Sequence, residues 1–175
     1  IMFMRLDNPF PRMLMAMSVL WLAGTLNAAA ADQPAAKPAE ELIKVVYHAD
    51  FADPRRFSAM LSNIYNMVST YQSELKEYDV RIVFLSHGIR FATQDKLAGT
   101  PFAEDAALKQ RRADLLARLA SLRDTEGVKL ELCDITRAAV NLPREKLIPG
   151  VTLVPSGVVR IVELQRQGFA YLKVE

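Results

Sequence analysis

The chain of 175 residues holds one cysteine and two histidines. A single thiol excludes an intrachain disulfide, a CxxC redox pair and a multi-cysteine zinc site. Neither GxGxxG nor Walker A occurs, so the glycine-rich cradles that hold dinucleotides and ATP phosphates are missing. A GxSxG nucleophile elbow is missing too, which removes α/β-hydrolase chemistry. Charge of one sign is lacking: 22 basic against 20 acidic residues leave +2, with no basic stripe interleaved with aromatics, so nucleic acid is not an expected partner. What is present is 51% hydrophobic and 24% charged sequence, the composition of one globular domain. A core of that size needs no crosslink or metal, and no cofactor is expected.

Composition is uneven along the chain. Met2, Met4, Met13, Met15 and Met17 crowd the start, Arg5 and Arg12 precede an apolar run from Met13 to Ala23, and Ala28 to Ala31 are small. Positive, then apolar, then small is the order of a secretory signal peptide. The run of about eleven residues is too short to cross a bilayer as a helix, and Pro9 and Pro11 stop it from extending upstream. The expectation is a cleaved signal over residues 1–31, a flexible Pro/Ala-rich lead-in over 32–41, and a periplasmic domain over 42–175 without a stable membrane anchor. An uncleaved anchor, or a mis-assigned start with Met2 or Met4 as the true one, is the alternative.

The domain alternates strand and helix signals. Leu42 to Ala49 is a β-branched run, expected as a strand. Asp53-Pro54 then offers an N-cap and first-turn pair, and Phe57, Met60, Leu61, Ile64, Val68, Tyr71 and Leu75 recur at helical spacing, predicting a helix to about Lys76. Asp79 to Ser86 reads as a strand apolar enough to be covered on both faces. Gly99 and Pro101 break the stretch from Ile89 to Glu104. Asp105 to Arg123 reads as a helix with Leu108, Leu115, Leu119 and Leu122 on one face. Val128 to Cys133 is a third strand, Asp134 to Val140 a short helix, and Leu142 to Leu147 a turn with a further short helical piece. Val151 to Val154 is a fourth strand. Pro155-Ser156-Gly157 opens a helix that Gly168 closes, although its Val158, Val159, Ile161 and Val162 suit a strand equally well. Phe169 to Val174 is the last strand. Such alternation predicts an α/β three-layer sandwich with a mainly parallel sheet of about five strands.

Ligands of open parallel sheets bind beyond the carboxyl ends of the strands. Both histidines and the cysteine fall there: His48 at the end of the first strand, His87 after the second, Cys133 at the end of the third. A thiol before a short helix gains thiolate character from the helix amides, and the thiolate is what attacks sulfur or carries a persulfide. Asp134 beside it works the other way, and an inert, packed cysteine is the competing reading. His48 and His87 are candidate acid/base groups near neutral pH. With Cys133 they would form a His₂Cys metal set, but their spacing carries no ligand signature and no metal is expected. Asn63 and Asn66 lie on the polar side of the first helix, either as a subunit contact or as a solvated face. Lys109, Arg111, Arg112 and Arg118 read as a solvated face of the second helix, with anion binding as the alternative.

The segments VVYHAD (Val45 to Asp50), NIYN (Asn63 to Asn66) and SHG (Ser86 to Gly88), and above all PGVTLVPSGVVRIVELQRQGFAYLKV (Pro149 to Val174), resemble the exported branch of the DsrE/DsrF-like family. The resemblance implies a five-stranded parallel sheet and homo-oligomers, often trimers or hexamers. It also implies, as in the cytosolic sulfur-relay members, a cysteine at the end of a middle strand that accepts sulfane sulfur and passes it on as a persulfide. Cys133 stands at the matching position, with His48 and His87 expected to line its pocket. A sulfur donor or acceptor, protein or small molecule, is the implied partner. The export signal removes this chain from the cytosolic relay, and the context Glu131-Leu132-Cys133-Asp134-Ile135-Thr136 is not diagnostic by itself. The alternative is a non-catalytic oligomeric binding module with a buried structural cysteine.

Overall fold

The computed structural model describes residues 42–175; the signal peptide and lead-in expected over 1–31 and 32–41 lie outside the described residues. Five strands, β1 (Ile43–Ala49), β2 (Tyr78–Phe84), β3 (Lys129–Cys133), β4 (Val151–Val154) and β5 (Ala170–Leu172), form one sheet in the order β4-β3-β2-β1-β5, every pair parallel. Four helices connect them: α1 (Pro54–Ser73), α2 (Ala106–Asp124), α3 (Asp134–Ala139) and α4 (Gly157–Arg166). Three steps carry the chain outward from β1 to β4. The connection through α4 then returns it across the whole sheet to the far side of β1.

The two faces differ in thickness. One is covered by α1 and α2, whose apolar stripes (Phe57, Met60, Leu61, Ile64, Val68 and Leu108, Leu115, Leu119, Leu122) pack with Val45, Tyr47, Ala49, Ile82, Phe84, Leu130 and Leu132 in the large core. On the other face Val46 and Val83 meet Ile161 and Leu164 of α4, together with Phe169, in a smaller core. Side-chain alternation along a strand then assigns His48, Glu131 and Cys133 to this second, thinner face.

Local signals account for most boundaries. The Asp53 carboxylate accepts the Arg55 amide at 2.8 Å and Pro54 occupies the first turn, where no N–H is needed. The predicted extension of α1 to Lys76 does not occur: Leu75 takes a left-handed φ of 57° and is 85% exposed, so it ends the helix instead of joining its stripe. The ambiguous valine-rich segment is helical. Ser156 caps it, Ile161 and Leu164 turn inward, and Val158, Val159 and Val162 are left exposed. β5 is shorter than Phe169 to Val174, because Phe169 is drawn into the small core.

The stretch after β2 begins as a 3-10 turn, Ser86–Phe91, and continues without regular structure to Asp105. Two arginines hold it. Arg90 is 3% exposed and donates to the Ala52 carbonyl and the Asp105 carboxylate. Arg112 donates to Glu104 and to the carbonyls of Arg90 and Thr93. This corrects the expectation of a solvated basic face. Lys109 and Arg111 are exposed, but Arg112 ties down the loop and Arg118 bridges α2 to Ser58 and Ser62 of α1. Beyond a single bridge from Thr93 to Leu147, the loop has few backbone partners, and arginine supplies several donors at once for its carbonyls. Asn63 and Asn66 are exposed on α1.

On the thin face Glu131 is 4% exposed. It accepts from Arg160 Nε at 2.6 Å, Arg160 Nη2 at 2.9 Å and Arg81 Nη1 at 2.8 Å, while Arg81 also pairs with Asp79. Burial pushes the Glu131 carboxyl up, and the two guanidiniums more than reverse this, so it lies below the usual carboxylate range. A carboxylate lowered by folding stabilises the native state above its unfolded value, near 4.3, and that contribution is lost as pH falls through the lower folded value. Glu131→Gln is expected to cost about 3 kcal/mol at pH 7. In urea melts at stepped pH the gap to the native chain should close on acidification below that range. A gap independent of pH would show that charge pairing does not hold α4 in place.

Candidate functional site

Cys133 is the last residue of β3 and the N-cap of α3. Its parallel neighbour in register is Val154, the last residue of β4. From there Pro155 and Ser156 turn the chain back, and α4 starts directly over the end of β3. A β-carbon on Gly157 would sit 3.0 Å from Cys133 Cβ and 3.2 Å from Leu85 Cβ. Any other residue here would press its β-carbon on Cys133 and Leu85, so glycine eases the close approach of the first turn of α4.

The result is a sulfur between two helix starts. Cys133 is 5% exposed. Burial pushes the thiol up. The amides of Gly157, Thr136 and Ile135 and the Thr136 hydroxyl outweigh that, so the thiol lies below its ordinary value. No capping hydrogen bond closes on the Cys133 side chain. The acidic neighbour expected to oppose that lowering is turned aside: Asp134 is paired with Arg137.

The histidines are placed differently. His87 lies in the 3-10 turn, its ring edge-on to Phe102 with centroids 5.1 Å apart and its Nδ1 3.4 Å from Ser86 Oγ. That turn packs against α3, and the contacts of the His87 ring are to Ser86 and Phe102. His48 is on β1, with β2 between it and β3, roughly 10 Å across the sheet from the level of Glu131. Its Nδ1 is 2.8 Å from Tyr171 Oη of β5, its Nε2 is 3.6 Å from Asp50, and Asp50 is held by Lys173 at 2.9 Å. Burial is the main reason that His48 lies below its ordinary value; Asp50 raises it, and Lys173 and Arg56 lower it further. Strand order reverses between β1 and β5, where open sheets carry their crevices, and this quartet fills that place with mutual contacts. The three residues of the supposed His₂Cys set are therefore spread over the sheet. Among the described residues no cluster of three or more His, Cys, Asp or Glu side chains could hold a metal ion.

Residues 42–174 match the DsrE/DsrF-like family. The chain belongs to that family. Among solved structures, this DsrE/DsrF-like chain is similar to MTH1491 from Methanobacterium thermoautotrophicum, a protein of unknown function, at 25% identity and a TM-score of 0.55, over 75% of this chain and 98% of that one. It is also similar to the ychN protein from E. coli, at 18% identity and a TM-score of 0.46, over 75% of this chain and 99% of that one. No curated protein matches it significantly.

In this DsrE/DsrF-like domain, the sequence pointed to the thiol but not to Gly157, which packs against it, nor to Thr136, three residues further along α3. Gly157 could have been found from the PSG turn, since a glycine opening a helix after a strand signals close approach. Thr136 could have been found from its place three residues after an N-cap. The Gly157 contact is testable by Gly157→Ala, whose methyl group must push α4 away from Cys133. The midpoint of Cys133 alkylation by iodoacetamide against pH is expected to move up, with a loss of about 1–3 kcal/mol from overpacking. An unchanged midpoint would show that the Gly157 amide does not act on the sulfur.

Proposed function

We propose that this chain is a sulfur carrier that loads sulfane sulfur on Cys133. The observation that carries this reading is the convergence of the Gly157, Ile135 and Thr136 amides on the domain's one thiol, which lowers it below an ordinary cysteine. Family membership agrees with a sulfur-relay type of role. In the loading step the Cys133 thiolate attacks the terminal sulfur of a polysulfide. A new S–S bond forms, the donor's S–S bond breaks, and the shortened polysulfide leaves with the electron pair. The product is a Cys133 persulfide anion. An acceptor thiolate then attacks its outer sulfur and releases the Cys133 thiolate. His87, in the turn beside α3, and His48, which holds β5 through Tyr171, have supporting roles.

Incubating the folded protein with polysulfide and measuring intact mass is expected to add about 32 Da, one sulfur atom, and Cys133→Ser is expected to add nothing. No adduct on the native chain, or an adduct that persists in Cys133→Ser, would remove the carrier role. The first outcome would favour the second reading, a non-catalytic binding module with a structural cysteine, which the 5% exposure of Cys133 supports.

The same reading places the protein in the periplasm after removal of the N-terminal signal, as a homotrimer or homohexamer. Its partner would be a protein or small-molecule sulfur donor or acceptor. Among the described residues no helix is long and apolar enough to cross a membrane. Support for self-association comes from α4: Val158, Val159 and Val162 are each more than half exposed, an apolar strip that a monomer would leave in water. Val159→Asp with Val162→Asp is expected to lower the sedimentation mass to that of a monomer while the thermal melt stays cooperative. An unchanged mass would place the contact on another surface.

A further inference from the structure

We propose that His48 is an acid-sensitive latch: as a neutral ring it holds the edge strand β5 through Tyr171, and its protonation releases residues 170–175 and bares the edge of β1. Cys133 takes no part in it. β5 is three residues long, exposed along its whole length, and paired on one side only, Val45 with Ala170, Val46 with Tyr171 and Tyr47 with Leu172. A ladder this short opens easily by itself. Side chains fasten it. Tyr171 Oη lies 2.8 Å from His48 Nδ1, and the two rings pack edge-on. Lys173 Nζ donates to Asp50 at 2.9 Å. Arg56, from α1, donates to the Val174 carbonyl and pairs with the Glu175 carboxylate at 3.0 Å.

A charged imidazole is badly placed here. Among the described residues its Nε2 is buried and meets no hydrogen-bond partner. The Asp50 carboxylate stands 3.6 Å away and is already bound by Lys173. An added proton puts a third cation beside Lys173 and Arg56. Against them stand Asp50 and a Glu175 side chain that is 80% exposed and therefore screened. The other neighbours offer no charge: β2 presents Val83 in register, α4 turns Ile161 and Leu164 inward, and its Arg160 is bound to Glu131. Departure of β5 wets the ring and carries Lys173 away from Asp50, which is then free for the imidazolium. β1 is paired on both sides and stays. Phe169, anchored in the small core, confines the opening to the residues after it. The freed N–H and C=O groups along Val45 to Tyr47 are then open to another strand.

The direction of the pH dependence follows. Burial is the main reason that the latched ring lies below its ordinary value, so the released ring binds the proton more tightly. The latch is complete above the ordinary value of about 6.5 and weakens as pH falls from there through the lower, latched value. Asp50, which burial pushes up and Lys173 and His48 pull down further, lies below the usual carboxylate range and keeps its charge throughout this window.

The test is amide hydrogen exchange on the full chain, read by mass spectrometry over residues 170–172 and corrected for the intrinsic pH dependence of exchange. Between about pH 7.5 and about pH 5.5, protection there is expected to fall roughly fivefold while β2 and β3 keep theirs. His48→Asn puts an uncharged amide near the position of Nδ1 and is expected to give equal protection at the two pH values. His87→Gln is expected to keep the fall. Should His48→Asn leave β5 unprotected at both, an NMR titration of the native His48 ring decides. Its midpoint is expected below the ordinary histidine value and coincident with the loss of protection. Protection of the native chain that does not change with pH would overturn the latch. So would a fall that survives in His48→Asn, a fall abolished in His87→Gln, or a His48 midpoint at or above the ordinary value.

Discussion

Everything on the thin face of the sheet follows from the contact between α4 and the strands beneath it. That helix must cross from β4, at one edge, back towards β5, at the other, and its first residue passes over the ends of β3 and β2. Glycine at 157 permits the approach, and the buried Glu131 carboxylate, held by Arg160 from the helix and Arg81 from β2, fixes it. A buried carboxylate is costly unless its lone pairs are satisfied by well-placed donors. Here both of its oxygens are engaged, so any displacement of α4 would expose the cost. The small apolar core of Val46, Val83, Ile161, Leu164 and Phe169 fills the rest of the interface.

The same constraint creates the environment of Cys133. A thiol at the end of a parallel strand normally meets the amides of the one helix that follows it. Here the crossover adds the amide of a second helix. Two helix starts converge on one sulfur because β3 and β4 end in register, at Cys133 and Val154, and because the chain turns back immediately after β4. The resulting preference for the thiolate opposes burial and prevails over it. This arrangement needs no charged partner and no imidazole, which fits the engagement of His48 with Tyr171 at the other end of the sheet.

The fold was largely legible from the residues. Alternation of β-branched runs with 3.6-residue periodicity, the Asp53-Pro54 start and the Leu108 to Leu122 stripe each describe local preferences that the tertiary structure also satisfies. The misreadings concern residues whose local and tertiary roles differ. Leu75 continued a helical spacing but ends the helix in a left-handed turn. Arg112 and Arg118 looked like solvated charges, yet they serve as donors for a loop and for a neighbouring helix. The valine-rich stretch of α4 was ambiguous because β-branched residues suit either element, and burial of Ile161 and Leu164 decided for a helix.

By itself the sequence determined the α/β class, the parallel sheet and the location of the thiol at a strand end, because these depend on periodicity and turn chemistry within short windows. Only the tertiary structure decided which groups meet that thiol. Gly157 and Thr136 rather than the two histidines surround it, since strand order, register and the direction of the last crossover are relations between segments far apart in the chain. Ser86 shows the limit most clearly. Its residue type does not signal a left-handed backbone, and the acceptor of its amide is the hydroxyl of Thr136, which lies far from it in sequence.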